Sequence, residues 1–191
     1  MSTAFAAQPQ KRKGLLGNEK GLTLIELLAV IVILAIIAAI AIPSIGGIIN
    51  RTKKESHRAN AQMIVDAARY AVTAEGFPMV GITNITKDHT LTDGTDSYTT
   101  DYFEVTVDEL NQKGYLENVP KDPEDSDKRT YSTNSKVRVH KIQDSGKYRY
   151  EVLLLHADGA KVFNTTDGYV LETEIKTTPL AGDQKTQNPN P

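Results

Sequence analysis

Sixteen consecutive apolar residues, Leu27 to Ile42, follow a single carboxylate at Glu26. Counted from Leu22 the stretch is 21 residues long, and at about 1.5 Å per residue it spans the ~30 Å hydrocarbon core of a bilayer. One membrane-crossing helix near the start of the chain is predicted. A charge inside such a helix costs about 2.5–3.5 kcal/mol on insertion scales, so Glu26 is a candidate functional residue. It is the only charge between Leu22 and Ile49.

The surrounding residues sharpen this reading. A basic leader carrying Lys11-Arg12-Lys13 and Lys20 runs into Gly21-Leu22-Thr23-Leu24-Ile25-Glu26, and a proline, Pro43, closes the apolar run. This arrangement closely resembles the cleavage and methylation signature of type IV prepilins and the related pseudopilins, over Gly21 to about Arg58. The resemblance implies that a membrane-bound prepilin peptidase cuts after Gly21 and methylates the new amino terminus at Leu22. Leu22 stands where the family usually has Phe, and a 21-residue leader is long for the group, so the subfamily stays open. An ordinary secretory signal peptide, cut near Ala39-Ile40-Ala41, is the competing reading. It has to tolerate Glu26 inside its apolar region. A plain single-pass anchor gives no reason for Gly21 or Glu26.

Cleavage at Gly21 would create a cationic amine four residues before Glu26, at a helix end whose dipole already favours an anion. The resemblance implies that Glu26 meets the Leu22 amine of a neighbouring subunit during filament growth. Either group left unpaired in an apolar core would cost several kcal/mol. Leu22 and Glu26 are thus the expected assembly residues. The implied partners are other pilins in a homo-oligomeric filament, the prepilin peptidase, an inner-membrane assembly platform, and the membrane before assembly. The implied location is a single-pass cell membrane protein that later joins an extracellular pilus.

Composition limits the remainder of the 191 residues to one globular head, since a hydrophobic fraction of 39% is too low for a multi-span protein. There is no cysteine, which excludes disulfides and thiolate metal sites. Many pilins of Gram-negative bacteria carry a C-terminal disulfide, so the lack of cysteine, together with the Leu-rich signature, looks more like pilins of Gram-positive bacteria. Residues 77–178 hold 12 basic and 18 acidic side chains. An acidic head argues against direct nucleic-acid contact, which needs Lys and Arg patches. A competence (DNA-uptake) or type II secretion pseudopilin remains the alternative role, and a secreted binding domain a more distant one. Four basic residues precede the span and four follow it closely, Arg51, Lys53, Lys54 and Arg58. The charge rule therefore gives no orientation.

The expected fold is α+β, a long N-terminal helix packed on a small antiparallel sheet. Leader 1–21 precedes helix 22–76, with 22–42 in the membrane, followed by a head over 77–177 and a disordered tail over 178–191. Pro43 removes a backbone hydrogen bond and Gly46-Gly47 adds two flexible positions, so a kink or melted turn is expected there. Beyond it, Ile45, Ile49, Thr52, Ser56, Ala59, Met63, Ala67, Tyr70 and Ala74 recur at helical spacing and mark the face expected to cover the head. Gly76-Phe77-Pro78 ends the helix. Met79 to Thr100 reads as a loop. Thr106-Val107-Asp108-Glu109 has the form of a capping box for a short helix stopping at Gly114. Strands are predicted over Lys136–Ile142, Tyr148–His156 and Tyr169–Ile175, with a further pairing segment at Lys161–Phe163. Turn signals at Asp144-Ser145-Gly146 and Asp158-Gly159 make neighbours antiparallel. Val137, Val139, Tyr148, Tyr150, Val152 and Leu154 form the apolar face.

No catalytic constellation emerges, and the chain is read as a structural subunit, not an enzyme, without cofactor. His57, His89, His140 and His156 are widely separated in sequence and none shows the spacing of a zinc pair, so no metal site is assigned. Asp122, Glu124, Asp125 and Asp127 offer oxygen ligands for calcium, but without EF-hand spacing a solvated turn is the better reading. The sequons at Asn84 and Asn164 carry little weight in a bacterial protein.

Overall fold

The computed structural model describes residues 23–181. Helix α1 occupies Leu24–Glu75 and is continuous, with Pro43 inside it. The melted turn expected at Pro43, Gly46 and Gly47 is absent, since all three are helical. Proline costs one backbone bond there, and the Ser44 hydroxyl donates to the Ile40 carbonyl at 3.1 Å in the same turn. A side chain added at either glycine would meet nothing within 4 Å, so neither is required for close packing.

Two compact units divide the chain, residues 1–46 and 47–191. In the first, the described residues present apolar side chains outward, with Leu24 85% and Ile40 69% exposed. By length and composition this is the one helix among the described residues able to cross a membrane. Apolar exposure on every side is unfavourable in water and suits lipid or an assembly interface.

The second unit holds the head. Its helical half buries His57, Ala61, Ile64, Val65, Ala67, Ala68, Ala71 and Val72. This corrects the predicted face: Ala67 alone is shared, while Met63 and Tyr70 are exposed. The true stripe is displaced by one residue, about 100° of rotation at 3.6 residues per turn. The predicted stripe takes its phase from Ile45 and Ile49, in a stretch where every face is apolar and phase carries no information. Ile64, Val65 and Val72 bring more apolar area into the core than Thr52 or Ser56 would. Gly76 follows at φ 92°, its N–H donating to the Val72 carbonyl at 2.8 Å, which ends the helix as expected. The Phe77–Pro78 bond is cis.

A five-stranded antiparallel sheet lies in chain order, β1 Ile85–Asp93, β2 Asp96–Thr106, β3 Lys136–Ile142, β4 Tyr148–Leu153 and β5 Tyr169–Leu171. The first two strands overturn the loop assigned to Met79–Thr100. Strand β1 is an edge, so most of its side chains face water and alternation is weak. A bulge between Thr86 and His89 further disturbs its period. The other strands fall where predicted, although β4 ends at Leu153 and β5 passes at Glu172–Glu174 into a short 3-10 helix. Val137 pairs with Val152 and Val139 with Tyr150. These four side chains and Leu154 are buried, whereas Tyr148 is 36% exposed beyond the core's edge. Helix α2, Val107–Gln112, begins at Thr106 with both halves of the capping box formed. Lys161 bridges to Leu155, and Phe163 to Leu180. Leu180 is buried in the core, so residues 178–181 belong to the head and not to the tail. The rest of that tail, like leader 1–21, lies outside the described residues.

One core cluster joins Ile64, Val65 and Ala68 of α1 to Phe103, Val105, Val139 and Val152 of the sheet. The predicted α+β architecture, a long helix packed on an antiparallel sheet, is the one observed.

Candidate functional site

At the N-terminus, the proposed processing residues Gly21 and Leu22 lie outside the described residues, and α1 starts just beyond them. Thr23 caps the helix, its Oγ1 accepting the Glu26 N–H at 3.3 Å and its carbonyl accepting the Leu27 N–H at 3.1 Å. Glu26 therefore occupies the first turn, where the helix dipole favours a carboxylate. Thr23 was missed in reading the sequence, although Thr-x-x-Glu is itself capping spacing. From Leu27 to Ile49 the apolar side chains are exposed, Ala41 only partly. Chemically this is a membrane-length apolar rod with one anionic group at its cationic end.

A second constellation forms in the head. The loop after α2 is pinched by a bridge between Lys121 and Thr130 and by the Asp122 N–H donating to the Arg129 carbonyl at 2.9 Å. Asp122 is buried. Its Oδ1 accepts the Glu124 N–H at 2.9 Å, and its Oδ2 lies 2.8 Å from His156 Nδ1 and 3.3 Å from the Ala157 N–H. Burial alone would raise this carboxyl, but those donors outweigh it and hold it below the ordinary carboxylate range. Asp125 is clamped by the Arg129 guanidinium, whose Nε and Nη2 donate to Oδ2 at 3.0 and 2.7 Å. Arg129 holds that carboxyl low as well. Asp122 and Asp125 thus face different protein donors.

The four histidines, distant in sequence, are brought together in two pairs, which corrects their reading as isolated residues. His89 and His140 have ring centroids 5.6 Å apart. His140 is buried, with Thr100 Oγ1 at 3.1 Å from Nδ1 and Glu151 Oε2 at 2.9 Å from Nε2. Both of its nitrogens are engaged across β2 to β4, so His140 is a satisfied core residue, with His89 half-buried beside it on the edge strand. His57 and His156 sit edge-to-face at 5.2 Å. His57 Nδ1 is 2.7 Å from the Tyr131 hydroxyl, but its buried Nε2 has no hydrogen-bond partner among the described residues. Burial, and then the neighbouring His156, push His57 below its ordinary pKa and favour the neutral ring.

A family profile for the prokaryotic N-terminal methylation motif matches residues 16–42. The match contains Gly21, Leu22 and Glu26, so the chain carries a prepilin-type signature of the type IV pilin and pseudopilin kind. No curated protein and no solved structure matches the chain.

Proposed function

We propose that this chain is a structural subunit of a type IV pilus-like filament, processed by a prepilin peptidase and assembled through the apolar half of α1. The observation that carries the proposal is Glu26, the single charge on the exposed apolar half of α1 before Ile49, inside a segment matching the methylation motif. Lipid solvates the apolar face before assembly. In the filament, neighbouring helices replace lipid around the same residues, and Glu26 of one subunit pairs with the Leu22 amine of the next. The subunit waits as a single-pass membrane protein, meets the assembly platform there, and ends in a surface filament. A structural subunit needs no catalytic group.

The test separates processing from assembly. Mass spectrometry of the mature chain is expected to find a methylated terminus at Leu22; a terminus near Ile42 would sink the proposal. Glu26→Ala removes an expensive charge from the bilayer, so membrane insertion is retained. Cleavage is retained too, if the peptidase reads mainly the glycine and the basic leader. Sheared filament is expected to fall at least tenfold, a loss of about 1.4 kcal/mol that lies well within the several kcal/mol an unpaired amine costs in an apolar core. Wild-type filament yield from this variant would refute the assembly pairing.

A further inference from the structure

His57 is fixed by α1 in the core, and its Nε2, buried and unpartnered, looks toward Glu124 Oε1 at 3.7 Å. From the segment after β4, His156 brings its own Nε2 to 3.9 Å from Glu124 Oε2. One ligand atom from each of the three side chains lies within 4.8 Å of the other two. A tetrahedral ion with bonds of about 2.1 Å needs ligand atoms ~3.4 Å apart. Glu124, about half exposed, has the freedom to approach such an ion, and a small rotation of the two rings, whose centroids lie 5.2 Å apart, closes the rest.

The outer contacts are those of a ligating set. Asp122 Oδ2, at 2.8 Å from His156 Nδ1, selects the tautomer whose Nε2 lone pair is free, as a carboxylate behind a metal-bound imidazole does. Tyr131 holds the other side of His57 at 2.7 Å. Two imidazoles with one carboxylate suit a borderline divalent ion such as Zn²⁺, whereas Ca²⁺ takes six to eight oxygens.

We propose that His57, Glu124 and His156 bind one divalent transition metal ion of the zinc class, with Asp122 and Tyr131 orienting the two rings and water completing the shell. The ion ties α1 to the 121–130 loop and to the segment after β4. In a chain without cysteine, it supplies the cross-link between distant segments that a disulfide provides elsewhere.

The test uses the full chain in detergent micelles, stripped with chelator and titrated with Zn²⁺ against a chromophoric competitor. One equivalent per chain is expected, with a raised thermal midpoint, and Co²⁺ is expected to give visible bands of tetrahedral intensity. Glu124→Gln removes a half-exposed carboxylate, so its metal-free midpoint is expected to match wild type while Zn²⁺ affinity falls tenfold or more. His156→Gln is expected to abolish tight binding, and the control His89→Gln to leave it unchanged. Absence of stoichiometric binding overturns the proposal. Wild-type affinity in both Glu124→Gln and His156→Gln overturns it as well, as does Ca²⁺ binding as tightly as Zn²⁺.

Discussion

Glu104 shows how one side chain on β2 organises its surroundings. Its carboxylate accepts from Lys136 Nζ at 2.8 Å, Arg138 Nε at 3.0 Å and the Tyr169 hydroxyl at 2.7 Å, and Arg138 lies over the Tyr169 ring at 3.5 Å. Burial opposes the charge, yet the three donors outweigh it and bring the carboxyl from 4.5 down to about 2. A depressed folded-state pKa makes this stabilisation complete above the ordinary carboxylate range. It is lost as pH falls from about 4.5 toward about 2. With the side chain 30% exposed, solvent screening limits the effect to about 1–2 kcal/mol. Glu104→Gln is therefore expected to lower the denaturation midpoint at neutral pH and to converge on wild type only as pH falls below about 2, where the Glu104 carboxyl is protonated as well. A gap that persists unchanged in acid would assign the loss to packing instead. At this scale Glu26 was legible because an isolated charge in an apolar run is conspicuous in one dimension. The His57–Glu124–His156 group was not, because its members come from three segments that only the tertiary fold brings together.

Among the elements, α2 and strands β3 to β5 announced themselves through a capping box, turn glycines and β-branched alternation, because each feature is local. The β1–β2 hairpin escaped, although Asp93-Gly94 is a hairpin signal, because a polar edge strand with a bulge has no apolar period. The long helix gave its existence and its C-terminal end correctly but not its phase. A pair of substitutions checks the corrected face. Ile64 is fully buried, and Ile64→Ala is expected to cost about 2–4 kcal/mol in unfolding free energy through lost burial and a residual cavity. Met63 is 42% exposed, and Met63→Ser is expected to stay within about 0.5 kcal/mol. Reversal of that order in chemical denaturation would restore the face through Met63 and Tyr70.

At the scale of the whole chain, the two units answer to different solvents. The core cluster draws its residues from Ala61 to Leu180, so folding of the head depends on side chains of the second unit. No residue of the most apolar part of α1 is buried, which leaves lipid or other subunits to cover it. The head's acidic excess, 18 carboxylates against 12 basic groups over residues 77–178, disfavours self-association of heads in the absence of that apolar half. A fragment beginning at Ile49 keeps the whole core cluster and leaves out the apolar run that contains Glu26. It is expected to be soluble and monomeric in sedimentation, and to unfold in one cooperative transition. The full chain, by contrast, is expected to need detergent and to associate as detergent is diluted. If the fragment forms oligomers at micromolar concentration, the head carries its own assembly contacts, and the assignment of filament formation to the apolar helix would have to be given up.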